Sequence, residues 1–190
     1  MTETGMDGGD IIALIADIFE RRGAEDYLGE AVTMAEHMLQ TATHAQAAGA
    51  SDALVAAALL HDIGHFTSEF GSYTVADTVD RHHDAAGAKI LAGAFPPLVA
   101  DCVRLHVAAK RYLCAVEPAY YDMLSPASQH SLALQGGPMS EAEIATFRRE
   151  PFHQEAVCVR RWDDDGKVPG VRTMTFDDFK PLLLRVADLG

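Results

Sequence analysis

The most constraining feature of the sequence is an apolar segment that ends in ionisable side chains. Residues 53–60 read ALVAAALL, and His61, Asp62 and His65 follow directly. A helix that is apolar on every face packs in the middle of a fold. Charged groups at the end of such a helix are costly to bury without partners, and a metal ion is the simplest partner for them. The chain is therefore expected to fold around this helix and to place a metal at its end.

Helical patterns on both sides of this segment predict an all-α fold. Gly49 ends the preceding helix, and Ser51 or Asp52 caps the apolar one. Ser140 and Glu143 match a capping box, which marks the start of a further helix. Other helices are predicted over 11–18 (with Asp10 as N-cap), 27–48, 83–92, 97–110, 151–162 and 175–188, with a loop or lid over 66–82 and irregular chain with short helical pieces over 111–139. We expect one helical-bundle domain over 1–190, with its core at about 10–165 and a C-terminal helix at about 175–188.

Composition limits the partners of the chain. Its 190 residues are 48% hydrophobic, which suits one compact domain, and its formal charge of −13 disfavours nucleic acid and anionic membranes. Three cysteines without CxxC spacing favour neither a disulfide framework nor a zinc knuckle. The N-terminus lacks the pattern of a signal peptide and no long apolar stretch is present, so a cytoplasmic protein is expected. The oligomeric state is not predicted.

Further candidate metal ligands recur along the chain, one or two to a helix. His37 lies on the helix before the apolar one, and His83 and His106 lie on two later predicted helices. Asp163 closes a late helix, directly after Arg160, Arg161 and Trp162. Ligands carried by different helices meet in the core of a bundle, which is where such metal sites are built.

The order H…HD…H…H…D resembles the HD-domain metalloprotein superfamily. Its single-metal members match His37, His61, Asp62 and Asp163, and its dinuclear members also match His83 and His106. Further segments resemble the mixed-valent di-iron oxygenases of the PhnZ/TmpB type, which cleave carbon–phosphorus bonds of organophosphonates. These segments are DYLGEA (26–31), HDIGH (61–65), HVAAKRYL (106–113), PAYYDMLSPAS (118–128), LQGGPMS (134–140) and RRWD (160–163). The resemblance covers roughly residues 10–165.

The resemblance implies a cofactor, a reaction and roles for particular residues. His37, His61 and Asp163 would bind one iron, His83 and His106 a second, and Asp62 would bridge a mixed-valent Fe(II)/Fe(III) pair that uses O2. The implied substrate is 1-hydroxy-2-(trimethylammonio)ethylphosphonate or its 2-amino analogue, giving glycine betaine or glycine together with phosphate. The implied phosphonate-binding and pocket residues are His65, Lys110, Ser128, Arg160 and Gln135. Tyr27 and Glu30 match an induced-fit lid on the cationic side of the substrate.

Several residues also have plainer interpretations. Lys110 is alternatively a solvated lysine, Ser128 a helix cap and Gln135 a turn residue. His65 shares a face with His61 if the helix continues, and lies at the pocket mouth if Gly64 ends it. Three of the chosen residues have a neighbouring alternative for the same role: His44 for His37, His82 for His83 and Arg161 for Arg160. We prefer His37, His83 and Arg160. Arg161 is expected to pair with a surface acid. Tyr27, Phe66, Phe70, Tyr73 and Tyr112 are candidates for a cage around a trimethylammonium group, which favours that substrate.

Three other functions remain open from the sequence. An HD phosphohydrolase acting on a nucleotide or phosphate ester would use the same ligands with a metal-bound hydroxide and no O2. An inositol-oxygenase-like enzyme would share the di-iron site, but a pocket lysine and arginine suit a polyol less well than a phosphonate. A metal-stabilised binding protein would bind metal without turnover.

Overall fold

The described part of the chain consists of α-helices joined by turns. The structure is a computed structural model, and it describes residues 8–27, 29–66, 79–80 and 82–187. The helices are α1 (Gly8–Arg22), α2 (Met34–Ala47), α3 (Asp52–Leu60), α4 (His83–Leu91), α5 (Pro97–Val116), α6 (Tyr120–Met123), α7 (Pro126–Leu134), α8 (Glu141–Phe147), α9 (His153–Asp165) and α10 (Phe176–Ala187), with one 3-10 turn at Ile63–Phe66. Within those ranges only isolated β-bridges occur and no strand forms. The all-α prediction is confirmed.

Helix α3 lies at the centre of the fold, as its apolar sequence predicts. Its residues from Val55 to Leu60 are all at most 1% exposed. Helices α2, α5, α9 and α10 pack around it. Ser51 caps its N-terminus by accepting a hydrogen bond from the backbone N–H of Leu54. His61 and Asp62, which follow the C-terminal end of α3, are therefore buried among the surrounding helices.

Helix α2 begins later than the sequence indicated. The predicted start near Tyr27 is wrong, because α2 starts at Met34 behind a capping box. The Thr33 hydroxyl accepts from the backbone N–H of Glu36, and the Glu36 carboxylate accepts from the backbone N–H of Thr33. Gly29 adopts a positive φ of 81° before this box, so the preceding residues form a loop rather than a turn of helix.

Other boundaries differ by a few residues. Helix α5 continues to Val116, beyond the predicted end at 110, and α6 and α7 are the short helical pieces predicted within 111–139. Asp10 lies inside the first turn of α1 instead of capping it. Most of the predicted loop over 66–82 lies outside the described residues.

The C-terminal helix packs on the same core as the rest of the chain. Thr175 begins it as predicted, since its hydroxyl accepts from the backbone N–H of Asp178. Helix α10 contacts α1 and α3 and buries Phe179 and Leu183 completely. None of the described helices combines the length and apolarity needed to cross a lipid bilayer.

Candidate metal centre and its pocket

Four side chains from three parts of the fold converge at the end of α3. The Nε2 atoms of His37 on α2 and His61 lie 3.0 Å apart. Asp62 Oδ2 lies 3.5 Å from His37 Nε2 and 3.3 Å from His61 Nε2. Asp163, near the end of α9, places Oδ1 at 3.5 Å from His37 Nε2 and Oδ2 at 3.8 Å from His61 Nε2. All four side chains are buried, and the facing donor atoms of His37, His61 and Asp62 all lie within 4.8 Å of one another.

A second cluster shares Asp62 with the first. His83, at the start of α4, and His106, on α5, bring their Nε2 atoms to 3.0 Å. The other oxygen of Asp62, Oδ1, lies 3.4 Å from each of these nitrogens. One carboxylate therefore faces a histidine pair with each of its oxygens, which is the arrangement of a bridging ligand between two metal ions.

Hydrogen bonds on the far side of the rings fix which nitrogen faces the cluster. Nδ1 of His37 lies 2.9 Å from the carbonyl of Gly166, and Nδ1 of His61 lies 2.8 Å from that of Ala58. A carbonyl only accepts, so each Nδ1 carries a proton, and each ring in its neutral form presents the Nε2 lone pair to the cluster. Two such lone pairs at 3.0 Å repel unless a cation lies between them. The donor set therefore fits a metal ion, and the backbone carbonyls orient its ligands.

The second cluster and the carboxylates agree with this fit. Nδ1 of His106 lies 2.7 Å from the carbonyl of Val103, which again leaves Nε2 bare. Asp62 Oδ2 and Asp163 Oδ1 are buried without a hydrogen-bond partner. An ionised, unsatisfied carboxylate between two lone-pair donors is the chemistry of a cation site.

A glycine allows the turn after α3 to approach α4 closely. A Cβ on Gly64 would lie 1.8 Å from the backbone carbonyl oxygen of His83. Because α3 ends at Leu60, His65 does not continue its face; the 3-10 turn instead stacks the His65 ring on His83, with centroids 3.9 Å apart. Burial, and secondly the neighbouring His83, lowers the pKa of His65 well below its usual range, so this ring is neutral.

One pocket opens onto both clusters, and all seven of the substrate residues expected from the sequence line it. The wall also contains Asp62, His83, His106 and Asp163. The seven are Tyr27, Glu30, His65, Lys110, Ser128, Gln135 and Arg160. Sequence reasoning missed four further lining residues, Asp80, Val107, Ala127 and Ser131.

One end of the pocket is cationic. Lys110 on α5 is 3% exposed, and its Nζ donates to Ser131 Oγ at 2.7 Å. Burial, helped by the nearby Arg160 guanidinium, lowers the pKa of Lys110 to about 7. Arg160 donates to Asp163 Oδ2 at 2.6 Å and also pairs with Asp164. An arginine has five N–H donors, so Arg160 retains donors for a ligand while it supports Asp163.

Ser128 and Gln135 mark the two ends of α7 beside this cationic region. Ser128 is 8% exposed and does not cap α7; Ser125 does, by accepting from the Ser128 backbone N–H at 3.2 Å. Gln135 directly follows the last residue of α7, and its Oε1 is buried without a hydrogen-bond partner. Gln135 is therefore both a turn residue and part of the pocket wall.

Tyr27 and Glu30 also line the pocket. The Tyr27 ring stacks on His37, with centroids 3.9 Å apart and planes 13° from parallel. Burial, and then the Asp62 and Asp163 carboxylates, raise the pKa of Tyr27 well above its usual value. Glu30 closes a turn by donating its backbone N–H to the Tyr27 carbonyl at 2.7 Å, and its carboxylate accepts from Ser125 Oγ. The two residues sit on a turn, and the prediction that they share a helix start is wrong.

Other residues singled out from the sequence lie elsewhere. His44 and His82 are exposed, which agrees with the preference for His37 and His83. Arg161 pairs with Glu117 at the surface, as expected. The Tyr112 hydroxyl accepts from Arg148, and its ring packs on Phe147, away from the pocket. Of the remaining cage candidates, Phe66 lies under the Arg22 guanidinium at 5.1 Å, and Phe70 and Tyr73 lie outside the described residues.

Comparisons with known proteins identify relatives over most of the chain. The HD domain family model matches residues 34–164. The chain is 52% identical to a [1-hydroxy-2-(trimethylamino)ethyl]phosphonate dioxygenase (glycine-betaine-forming) of Leisingera caerulea, over 95% of this chain and 92% of that protein. It is 41% identical to a hydroxymethylphosphonate dioxygenase of Gimesia maris, over 90% of this chain and 85% of that protein. It is also 31% identical to an uncharacterized protein of Acanthamoeba polyphaga mimivirus, over 90% of this chain and 78% of that protein.

Proposed function

The chain belongs to the HD-domain family and, within it, to the phosphonate dioxygenases, and we propose that it acts on 1-hydroxy-2-(trimethylammonio)ethylphosphonate. The reaction consumes one O2 and yields glycine betaine, phosphate and a proton. The carbon–phosphorus bond and the C1–H bond break, and the two products together contain both oxygen atoms of O2. The four electrons that O2 accepts come from the substrate, so no external reductant is required.

The observation that carries the proposal is a pocket that opens onto both histidine clusters. One carboxylate bridges the two clusters, and buried cationic residues line the same pocket. Asp62 faces a histidine pair with each oxygen, and Lys110 and Arg160 line the same pocket. A substrate with an anionic phosphonate next to a hydroxylated carbon fits this arrangement. The 52% identity to the glycine-betaine-forming relative supports the trimethylammonio compound as that substrate.

We assign two iron ions, as a mixed-valent Fe(II)/Fe(III) pair, to the two clusters. His37, His61 and Asp163 would hold one, His83 and His106 the other, and Asp62 both. Imidazole and carboxylate ligands suit several first-row metals, but zinc has no redox chemistry with O2. When bound, the iron pair supplies the redox chemistry with O2 and the Lewis acidity that the reaction requires.

Lys110, Arg160, Ser128 and His65 bind the phosphonate in this proposal. Lys110 and Arg160 are 3% and 4% exposed, so their charges act in a poorly screened environment. The positive charge of Arg160, joined by that of Lys110 when it is protonated, adds to that of the metals and attracts a phosphonate dianion although the chain as a whole carries −13. The neutral His65 ring offers one N–H to a phosphonate oxygen without adding charge.

Tyr27 and Glu30 serve the other end of the substrate. The Glu30 carboxylate faces the pocket with a negative charge that complements a quaternary ammonium. The raised pKa of Tyr27 keeps its hydroxyl protonated, so the ring contributes an uncharged aromatic face that covers His37 and excludes water. A cation against such a face gains roughly 0.5–2 kcal/mol.

Phosphate release from a panel of phosphonates tests the proposal. Protein purified with Fe(II) is assayed, with and without O2, on the trimethylammonio compound, its 2-amino analogue and hydroxymethylphosphonate. We expect O2-dependent phosphate release, fastest from the trimethylammonio compound. Release from a nucleotide or phosphate ester without O2 would instead indicate a phosphohydrolase.

A histidine pair provides the matched control for the site. His106→Ala removes a proposed ligand and is expected to abolish turnover and lower iron content. His44→Ala removes an exposed histidine from α2 and should change neither. Equal loss in both variants would contradict the assignment of His106 to the metal centre.

A further inference from the structure

Lys167 is a largely buried cation that neither the sequence motifs nor the proposed reaction has used. It follows Gly166 at the end of α9, and its side chain is only 9% exposed. Its Nζ donates to Ser128 Oγ at 3.0 Å and lies 3.4 Å from Asp163 Oδ1. It therefore stands between a proposed metal ligand and a proposed phosphonate-binding residue.

The backbone on both sides of Lys167 is held against α2. A Cβ on Gly166 would lie 2.6 Å from Thr41 Oγ1, so only glycine permits this close approach. The Gly166 carbonyl accepts from His37 Nδ1, and the Gln40 side chain clamps Val168 through its backbone N–H and carbonyl at 3.1 and 3.0 Å. We call residues 166–168 the strap. The side chain of Lys167 extends from this fixed backbone, so its position is set before any ligand binds.

The contact with Lys167 determines how Ser128 uses its hydroxyl. An ammonium has three donors and no acceptor, so Ser128 Oγ accepts this hydrogen bond and its own hydrogen must point elsewhere. The backbone carbonyl of Ser128 accepts from Ser131 Oγ at 3.1 Å, and Ser131 Oγ in turn accepts from Lys110. Lys167 and Lys110 therefore hold the first turn of α7 from two sides, and the free Ser128 hydrogen is available to the pocket that Ser128 lines.

Lys167 itself does not line the pocket formed by the described residues, so it reaches a ligand only through its neighbours. We infer that Lys167 is a positioning residue that fixes the Ser128 hydroxyl as a hydrogen-bond donor to a phosphonate oxygen. This inference rests on the proposed function for the identity of the ligand. It adds a residue outside the sequence motifs to the recognition of the phosphonate.

A double-mutant cycle tests whether Lys167 acts through Ser128. Lys167→Met keeps the length and removes the donor, and Ser128→Ala removes the hydroxyl. Each is expected to raise KM on the order of tenfold, the effect of one hydrogen bond to a charged group, while kcat stays within about threefold. The double variant should be no worse than either single one, and Lys167→Arg should restore most of the loss. Lys89→Met, at an exposed lysine on α4, is the control and should match the wild type.

Two further measurements separate this inference from the proposed function. Methylphosphonate binding is measured by calorimetry on the iron-loaded protein, and iron content is measured for each variant. We expect weaker methylphosphonate binding in Lys167→Met with unchanged iron content. Additive losses in the double variant, or loss of iron with unchanged methylphosphonate affinity, would overturn the inference. If the wild type releases no phosphate from any phosphonate, the proposed function fails, and the binding data still decide the role of Lys167.

Discussion

The strap over α2 gives a prediction whose size follows from the structure. Gln40 is 2% exposed and makes two hydrogen bonds to the backbone of Val168, both of which Gln40→Met removes. Val168 is 51% exposed, so water replaces the lost partners and leaves no buried group unsatisfied. Each bond then contributes about 0.5–1.5 kcal/mol, and the variant loses about 1–3 kcal/mol of folding free energy. For a chain of this size, that lowers Tm by about 2–12 °C.

The same variant is expected to weaken iron binding. The strap carries the Gly166 carbonyl that orients His37, and a loosened outer contact of this kind typically costs about tenfold or more in metal affinity. Thermal unfolding of the metal-free protein gives the stability, and iron titration gives the affinity. Gln46→Met, at an exposed glutamine on the same helix, controls for the substitution itself. If the two variants have Tm values within about 1 °C and equal iron affinities, the strap is not held by Gln40 and the reasoning is wrong.

Three other substitutions test separate parts of the account. Asp62→Asn should reduce bound iron by about half or more, measured by elemental analysis, because both clusters lose their shared carboxylate; retention of full iron content would contradict the bridge. Gly64→Ala should lower Tm and turnover together, because its Cβ meets the His83 carbonyl oxygen at 1.8 Å and overpacking costs about 1–3 kcal/mol; unchanged turnover would show that the turn shifts freely. The Ser140 cap and Arg111 lower the pKa of Glu143 to about 2 from 4.5, so Glu143 stabilises the fold above about pH 4.5 and this contribution is lost as the pH falls toward 2. The Tm gap between wild type and Glu143→Gln should therefore close over that interval, with Glu141→Gln as control, and a gap that persists at pH 2 would refute the assignment.

The sequence predicted the centre of the fold well because its signals there are local. An apolar helix with no polar face has to be buried, and α3 is buried. The Ser140–Glu143 capping box also forms as written. The equivalent box at Thr33 and Glu36 is not used in the prediction, so the predicted α2 extends backwards over a loop. The helical pattern of the sequence continues across the start of α2 at Met34. Only the capping residues Thr33 and Glu36 show where the helix begins.

The sequence predicts the candidate-site residues that belong to a motif. It does not predict those whose partners are distant in sequence and belong to no motif. The six proposed metal ligands meet in the two clusters around Asp62. The sequence does not predict the role of Lys167, because its partner Ser128 lies 39 residues away. The residues next to Lys167 and next to Ser128 form no motif that indicates this contact. A signal was nevertheless present, since the run DDDGK after RRW puts several charges at the end of a partly buried helix, where they need partners. Asp80 follows a segment without periodicity, and no pattern indicated that it lines the pocket.

The source of the oxygen atoms in the products tests the central claim most directly. The iron-loaded protein is given 1-hydroxy-2-(trimethylammonio)ethylphosphonate under oxygen-18 gas, and glycine betaine and phosphate are analysed by mass spectrometry. The account predicts oxygen-18 from the gas in the products, because the two products together hold two more oxygen atoms than the substrate and O2 supplies them. Phosphate that is released without oxygen-18 and without glycine betaine, at a rate independent of O2, would contradict it.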